Sequence, residues 1–230
     1  MTLYHSDTCL PHDYELGGAP LARVREVSDL GIICDEKMNF NKHVGVVAAK
    51  AMKALGFVKR STREFSKIEP IVHLYKSLVL PKMEYGSPVW SPFYSTHKYT
   101  LERVQRRFLR YIAYKLGIVS TEIDFDDLMR RCGLQTLEVR RKVADMSFLH
   151  RLLNNQIASP QLLSKIFFKV PQVTTRLAHP FFVPFSPTNY LQNRPLHRIP
   201  RSANYLMTLY PHLDFFSSSF LSFKRCIVNL

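Results

Sequence analysis

Arg103, Arg106, Arg107 and Arg110, in the stretch LERVQRRFLRYI (residues 101–112), carry the spacing of one helical face. At about 100° per residue they span an arc of roughly 100°. Leu101, Val104, Phe108, Ile112 and Leu116 fall within roughly 120° on the opposite side. Guanidinium groups on such a face meet phosphate oxygens without reading base sequence. Arg103–Arg107 and Arg106–Arg110 are like-charge pairs at i, i+4, a spacing at which repulsion costs a few tenths of a kcal/mol. The solvated back of a core helix usually mixes signs, so this face is better explained by a polyanion that relieves the repulsion. Lys50 and Lys53, on the polar side of an upstream helical stripe, are the other candidate contacts.

Carboxylates offer a second chemistry. Asp124, Asp126 and Asp127 in EIDFDDLMRR (residues 122–131) superficially match the paired aspartates that hold two metal ions in polymerases. Such a pair needs a tight turn between apolar strands, whereas acids followed by Arg130 and Arg131 fit the dipole of a short helix. The segment is therefore expected to start a helix. Glu84 stands alone and is assigned no chemistry. His5, Cys9 and His12 supply three possible metal ligands without a nearby fourth, which favours ordinary loop residues. Cys9, Cys34, Cys132 and Cys226 form no CxxC pair and read as reduced thiols. No phosphate loop, nucleophile elbow or catalytic His/Cys spacing is present, so no catalytic residue, metal site or cofactor is expected.

Several elements must position these residues. Residues 14–35 are expected to form a strand, a Gly17-Gly18 turn and a longer strand, with Val24, Leu30 and Ile32 sharing a half-buried side. From Asn41, the residues Val44, Val47, Ala48, Ala51, Leu55 and Val58 form a helical stripe. A second stripe runs from Ile68 to Val79, with Pro70 in the first turn and Pro81 ending or kinking it. The arginine helix follows the Pro88–Pro92 connector, and another helix is expected around 135–153. Half of the 14 prolines lie between 171 and 211, which suggests irregular chain before a closing helix near 213–225. The fold class is thus mainly α: an N-terminal β-hairpin, an amphipathic helical bundle and an irregular, Pro-rich, basic C-terminal region. The corresponding divisions are 1–40, 41–158 and 159–230.

Charge narrows the partner. The net charge of +14 and pI near 9.8 point to an anionic one, nucleic acid first and an acidic membrane surface second. Residues 1–45 carry four basic against seven acidic side chains, leaving 28 against 11 beyond them. No signal segment opens the chain and no run of 18 apolar residues occurs, so a soluble protein of the nucleus or cytoplasm is expected.

The order of motifs is familiar. SDLGIICDEKMNFNKHV, AAKAMKALGFVKRSTREF, LYKSLVLPKMEYGSPVWSPFYSTH and LERVQRRFLRYI, followed by DLMRRCGLQTLEVRRKVAD and TNY…NRPLHR…RSANY…FK, resemble jockey-like non-LTR retrotransposon reverse transcriptases downstream of their catalytic palm. The resemblance implies that Asp29, Leu30 and Gly31 form a primer-grip-like hairpin. The helices from His43 to about Leu116 would match a polymerase thumb, and the basic tail would contact RNA or target DNA. It also implies an RNA–DNA or DNA duplex, or RNA, as partner, with no membrane and no small-molecule substrate. The family's Mg2+ belongs to a palm whose Asp-Asp box lies upstream of the DLG segment. The chain is then expected to be a truncated element, inactive as a polymerase alone. A scaffolding module derived from the element, or a piece of an active enzyme with missed exons, are the alternatives. If a palm normally covers residues 14–35, their apolar side chains should be exposed and the chain prone to aggregate.

Overall fold

The computed structural model describes residues 13–169 and 179–228; the His5, Cys9 and His12 candidates lie outside them. Along the chain run β1 (Glu15–Leu16), β2 (Ala19–Pro20), β3 (Glu26–Asp29), β4 (Ile32–Asp35), α1 (Asn41–Ser61), α2 (Glu69–Leu78), α3 (Leu80–Glu84), α4 (Ser87–Trp90), α5 (Ser95–Lys115) and α6 (Phe125–Arg131). Then come α7 (Leu137–Leu153), α8 (Pro160–Leu163), β5 (Phe167–Phe168), β6 (Phe181–Phe182), α9 (Asn189–Asn193), α10 (Pro195–Leu209) and α11 (Phe220–Val228). The class is mainly helical, 59% helix against 8% strand among the described residues, with hairpins ahead of a helical bundle.

The first compact unit comprises residues up to Gly86 together with Pro92–Gln135. The α1 stripe is buried as its spacing dictates, from Val44 through Val47, Ala51 and Leu55 to Val58. It packs against α5, whose Leu101, Val104, Phe108 and Ile112 are all 0% exposed. Pro70 sits in the first turn of α2. Pro81 likewise opens α3 after a break at Val79, because a proline lacks the N–H that would continue α2.

The N-terminal region differs from expectation. Gly17-Gly18 do turn β1 into β2, but the longer strand is interrupted by a second two-residue turn. Leu30 (φ 46°) and Gly31 (φ 82°) both take left-handed backbone, as a tight hairpin turn requires. Val24, Leu30 and Ile32 therefore do not share a half-buried side: Val24 is 42% exposed and Leu30 82%. Leu16 and Leu21 are exposed as well.

The second unit comprises Ser87–Ser91 and Thr136 onward, so α7 packs with the C-terminal helices. Its core joins Met146, Leu149 and Leu152 of α7 to Ile199, Ala203, Phe215, Phe223 and Ile227. His150, 0% exposed, stacks on Phe223 with ring centroids 4.4 Å apart, and its Nε2 lies 3.0 Å from the Ser218 carbonyl. Within the Pro-rich region α10 is a long helix that periodicity did not indicate. Pro195 takes its first position, where no N–H is needed, and the internal Pro200 is buried beside Ile199 and Ala203. The closing helix starts at Phe220, later than expected. Upstream of it the Asp214 carboxylate accepts the N–H groups of Phe216 (2.8 Å) and Ser217 (3.2 Å), holding Leu213–Ser217 in a turn.

Candidate nucleic-acid interface

Packing fixes which way α5 points. Phe108 stacks on Tyr75 of α2 with centroids 3.9 Å apart and rings 10° from parallel. Gln105, only 2% exposed, sits on the same buried side. Its Nε2 donates to the Gln135 carbonyl (2.9 Å) and approaches the Met129 sulfur at 3.6 Å, while its Oε1 accepts from Tyr75 Oη at 3.3 Å. Leu109 and Ala113 are buried too, so the apolar face is wider than the arc drawn from the sequence. Leu116, placed in that arc, is 40% exposed because the helix ends at Lys115.

Arg103, Arg106, Arg107 and Arg110 are all exposed, and none pairs with a carboxylate among the described residues. Three of them divide between two flanks. Arg106 and Arg110 both lie over one aromatic ring, Phe125 at the start of α6, at 5.9 and 5.8 Å from its centroid. Cation–π contact of this kind holds a guanidinium in place without neutralising it. Arg107 turns toward α1, its Nη1 donating to the Met52 sulfur at 3.8 Å. On that flank Lys59 and Lys115 lie over the Tyr111 ring, 5.4 and 5.8 Å from its centroid. Lys115 also donates to the carbonyls of Arg63 and Phe65. Burial, and then the Arg107 charge, push the Lys59 ammonium below its ordinary pKa. Positive groups are thus crowded along the α1–α5 seam.

Lys50 and Lys53 are exposed on α1 but are not drawn into this cluster. At about 100° per residue, Lys50 lies some 160° around α1 from Met52, the residue that Arg107 touches. Phe125, Lys59, Tyr111 and Lys115 were not among the sequence candidates. Phe125 was visible only as part of the aspartate box, and its role depends on α6 folding back along α5.

Asp29, Leu30 and Gly31 form the tip of the β3–β4 hairpin. Tyr85, from the EYGSPVW motif, donates its hydroxyl to the Leu30 carbonyl at 3.0 Å, and a Cβ on Gly31 would lie 3.9 Å from the same ring. Two motifs more than fifty residues apart in the sequence therefore meet in space. The base of the hairpin is held to α1 by a Lys42–Glu26 ion pair and by the Ile33 N–H, which donates to His43 Nδ1 at 3.2 Å.

His43 makes that attachment pH-sensitive. Burial first, and the Lys50 charge second, push its pKa below the usual 6.5, so Nδ1 is an unprotonated acceptor at neutral pH. The unfolded chain takes up this proton first as pH falls. The contribution to stability is therefore complete above about pH 6.5 and is lost as pH drops toward the folded-state value. Amide exchange at Ile33 should accelerate between pH 7.5 and 5.5, relative to its intrinsic rate, and His43→Gln should remove that dependence.

The aspartate box starts a helix. Asp124 caps α6, its carboxylate accepting from the N–H groups of Asp126 (2.9 Å) and Asp127 (3.1 Å). Asp127 pairs with Arg131 one turn on, at 2.6 Å. Asp124→Ala should lower the stability of the first unit by about 1 kcal/mol in urea melts, the usual worth of an N-cap side chain. Glu84 closes α3, half-buried. Among the described residues no group of three or more His, Cys, Asp or Glu side chains is placed to hold a metal ion. No helix among them is long and apolar enough to cross a membrane.

Comparison with known proteins identifies one distant relative. The chain is 24% identical over 137 residues to "Uncharacterized protein B0403.1" of Caenorhabditis elegans, an alignment spanning 60% of this chain and 68% of that protein. No family model matches the sequence. No solved structure matches it either.

Proposed function

We propose that this chain binds nucleic acid without sequence preference through the outward face of α5, as a non-catalytic relative of the thumb region of jockey-like reverse transcriptases. The observation that carries the reading is four exposed arginines on one helix face with no carboxylate partner among the described residues. Stacking on Phe125 pre-positions two of them, and Lys59 and Lys115 extend the positive surface along the α1 seam. Guanidinium groups held this way reach a phosphate backbone with little further ordering, and they discriminate charge and spacing rather than base identity. Phosphoryl transfer in that family rests on palm aspartates, and no residue here is assigned that role.

The test is the ionic-strength dependence of binding to an RNA–DNA duplex of arbitrary sequence. Affinity should fall linearly on a log–log plot against salt, and to the same extent for an unrelated sequence. Affinity that does not change with salt would overturn the reading.

One observation favours a second reading, a protein-docking module. Leu16, Leu21, Val24, Val27 and Leu30 leave the hairpin region with several exposed apolar side chains. In the proposed relationship this surface would lie toward a palm. Leu16→Glu/Leu30→Glu should suppress concentration-dependent association in light scattering if these residues form a sticky face.

A further inference from the structure

The second unit contains a cavity of about 620 Å3, walled by Phe148, Leu152, Leu162, Ile166, Leu196 and Ile199. This volume lies within the range of about 300–1,000 Å3 common to small-molecule sites. Protein interiors are close-packed, and an apolar void of this size forfeits dispersion contacts all along its walls.

The charged residues that line it are all of one sign. Lys165 and Arg194 line the cavity and are exposed, which puts them at its mouth; no Asp or Glu lines it. Neither cation has a side-chain hydrogen-bond or ion-pair partner among the described residues. Arg194 precedes α10, whose first turn carries no acid, so the positive end of that helix adds to the field at the mouth. His197 lines the cavity one turn further, its Nδ1 held 2.8 Å from Ser186 Oγ.

We propose that this cavity binds a monoanionic amphipath, a single carboxylate on an unbranched apolar chain. The chain fills the pocket between α7 and α10, and the carboxylate rests at the mouth between Lys165 and Arg194. An uncharged occupant would leave both cations at the mouth without a counter-charge, and a polyanion would leave the apolar walls unfilled. The site lies on the second unit and makes no use of the α5 arginines.

Dodecanoate, titrated below its micellar concentration into the full chain and followed by calorimetry, is the probe, with dodecanol as the uncharged control. Saturable binding at one site per chain is expected, with dodecanoate bound at least about tenfold more tightly than dodecanol. Lys165→Gln/Arg194→Gln should remove that preference while leaving the binding of dodecanol unchanged. These two side chains are exposed, so the variant tests charge and not folding. Leu162→Trp, filling one wall, should weaken both ligands. Equal affinity for the two probes, an unaltered preference in the double variant, or binding accompanied by loss of the far-UV helical signal would each overturn the proposal.

Discussion

Asp145→Ala should destabilise the second unit by about 3–5 kcal/mol, the effect of removing one partner from a buried ion pair. Asp145 is 3% exposed and accepts from Arg198 at two points, Nε to Oδ2 at 2.9 Å and Nη2 to Oδ1 at 3.2 Å. Arg198 then donates onward to the carbonyls of Asn193 (3.0 Å) and Pro88 (2.8 Å). One guanidinium thus ties α7, α9 and α4 together. Burial pushes the Asp145 carboxyl up, against the opposing pull of Arg198 and of Arg141, itself 2% exposed. Without Asp145, the buried Arg141 and the partly buried Arg198 lose a nearby counter-charge. Domains of this size are typically stable by about 5–15 kcal/mol, so the loss is a large fraction of the total. Trp90, the chain's one tryptophan, lies in this unit and is buried, so its fluorescence in urea reports the transition directly. Asp145→Asn keeps the shape and an acceptor and should cost less. Asp145→Leu/Arg198→Met should recover part of the loss, because an apolar pair needs no desolvation of charge. A shift in Asp145→Ala below about 1 kcal/mol would mean that water already reaches the pair.

Arg106→Glu/Arg107→Glu/Arg110→Glu should remove most of the measurable affinity for an RNA–DNA duplex. Each lost phosphate contact lowers the salt slope by about 0.9, so losing three lowers it by about 2.7. Over a fourfold rise in salt, from about 50 to 200 mM, that difference alone corresponds to about 40-fold in affinity. Reversal adds repulsion to the loss, so the fall at low salt should be larger still. Helical content should be unchanged, since all three side chains are exposed on a helix whose apolar residues are untouched. Lys50→Glu is the internal contrast: it lies on the far side of α1 from the Arg107 flank and should change the slope by less than one contact. A triple variant that binds as tightly as the parent, with the same slope, would sink the assignment of this face.

The helices that matter most were legible because their apolar spacing is nearly unbroken. Val44 to Val58 predicts α1, and Leu101 to Ile112 predicts α5 together with the direction its arginines face. Asp124 was legible as a cap because acids ahead of bases suit a helix start and not a metal turn. What escaped depended on distant partners. Leucine seldom adopts positive φ, so nothing local marked Leu30 as a turn residue; a tyrosine hydroxyl 55 positions away helps to hold it there. Pro195 and Pro200 read as breakers of α10, yet one occupies a position that tolerates proline and the other is buried among core residues. Phe125 became part of the arginine cluster only through the packing of α6 on α5.

Gln105 has a consequence for that cluster. An apolar stripe fixes the rotation of a helix only through the shape of its packing, because dispersion itself is non-directional. Three polar contacts from one buried side chain are directional, and they reach α2, α6 and the segment after α6. They act as a key that sets the rotational angle of α5. Gln105→Leu would keep the hydrophobic face, but the arginines beyond it would no longer be aimed as a fixed row.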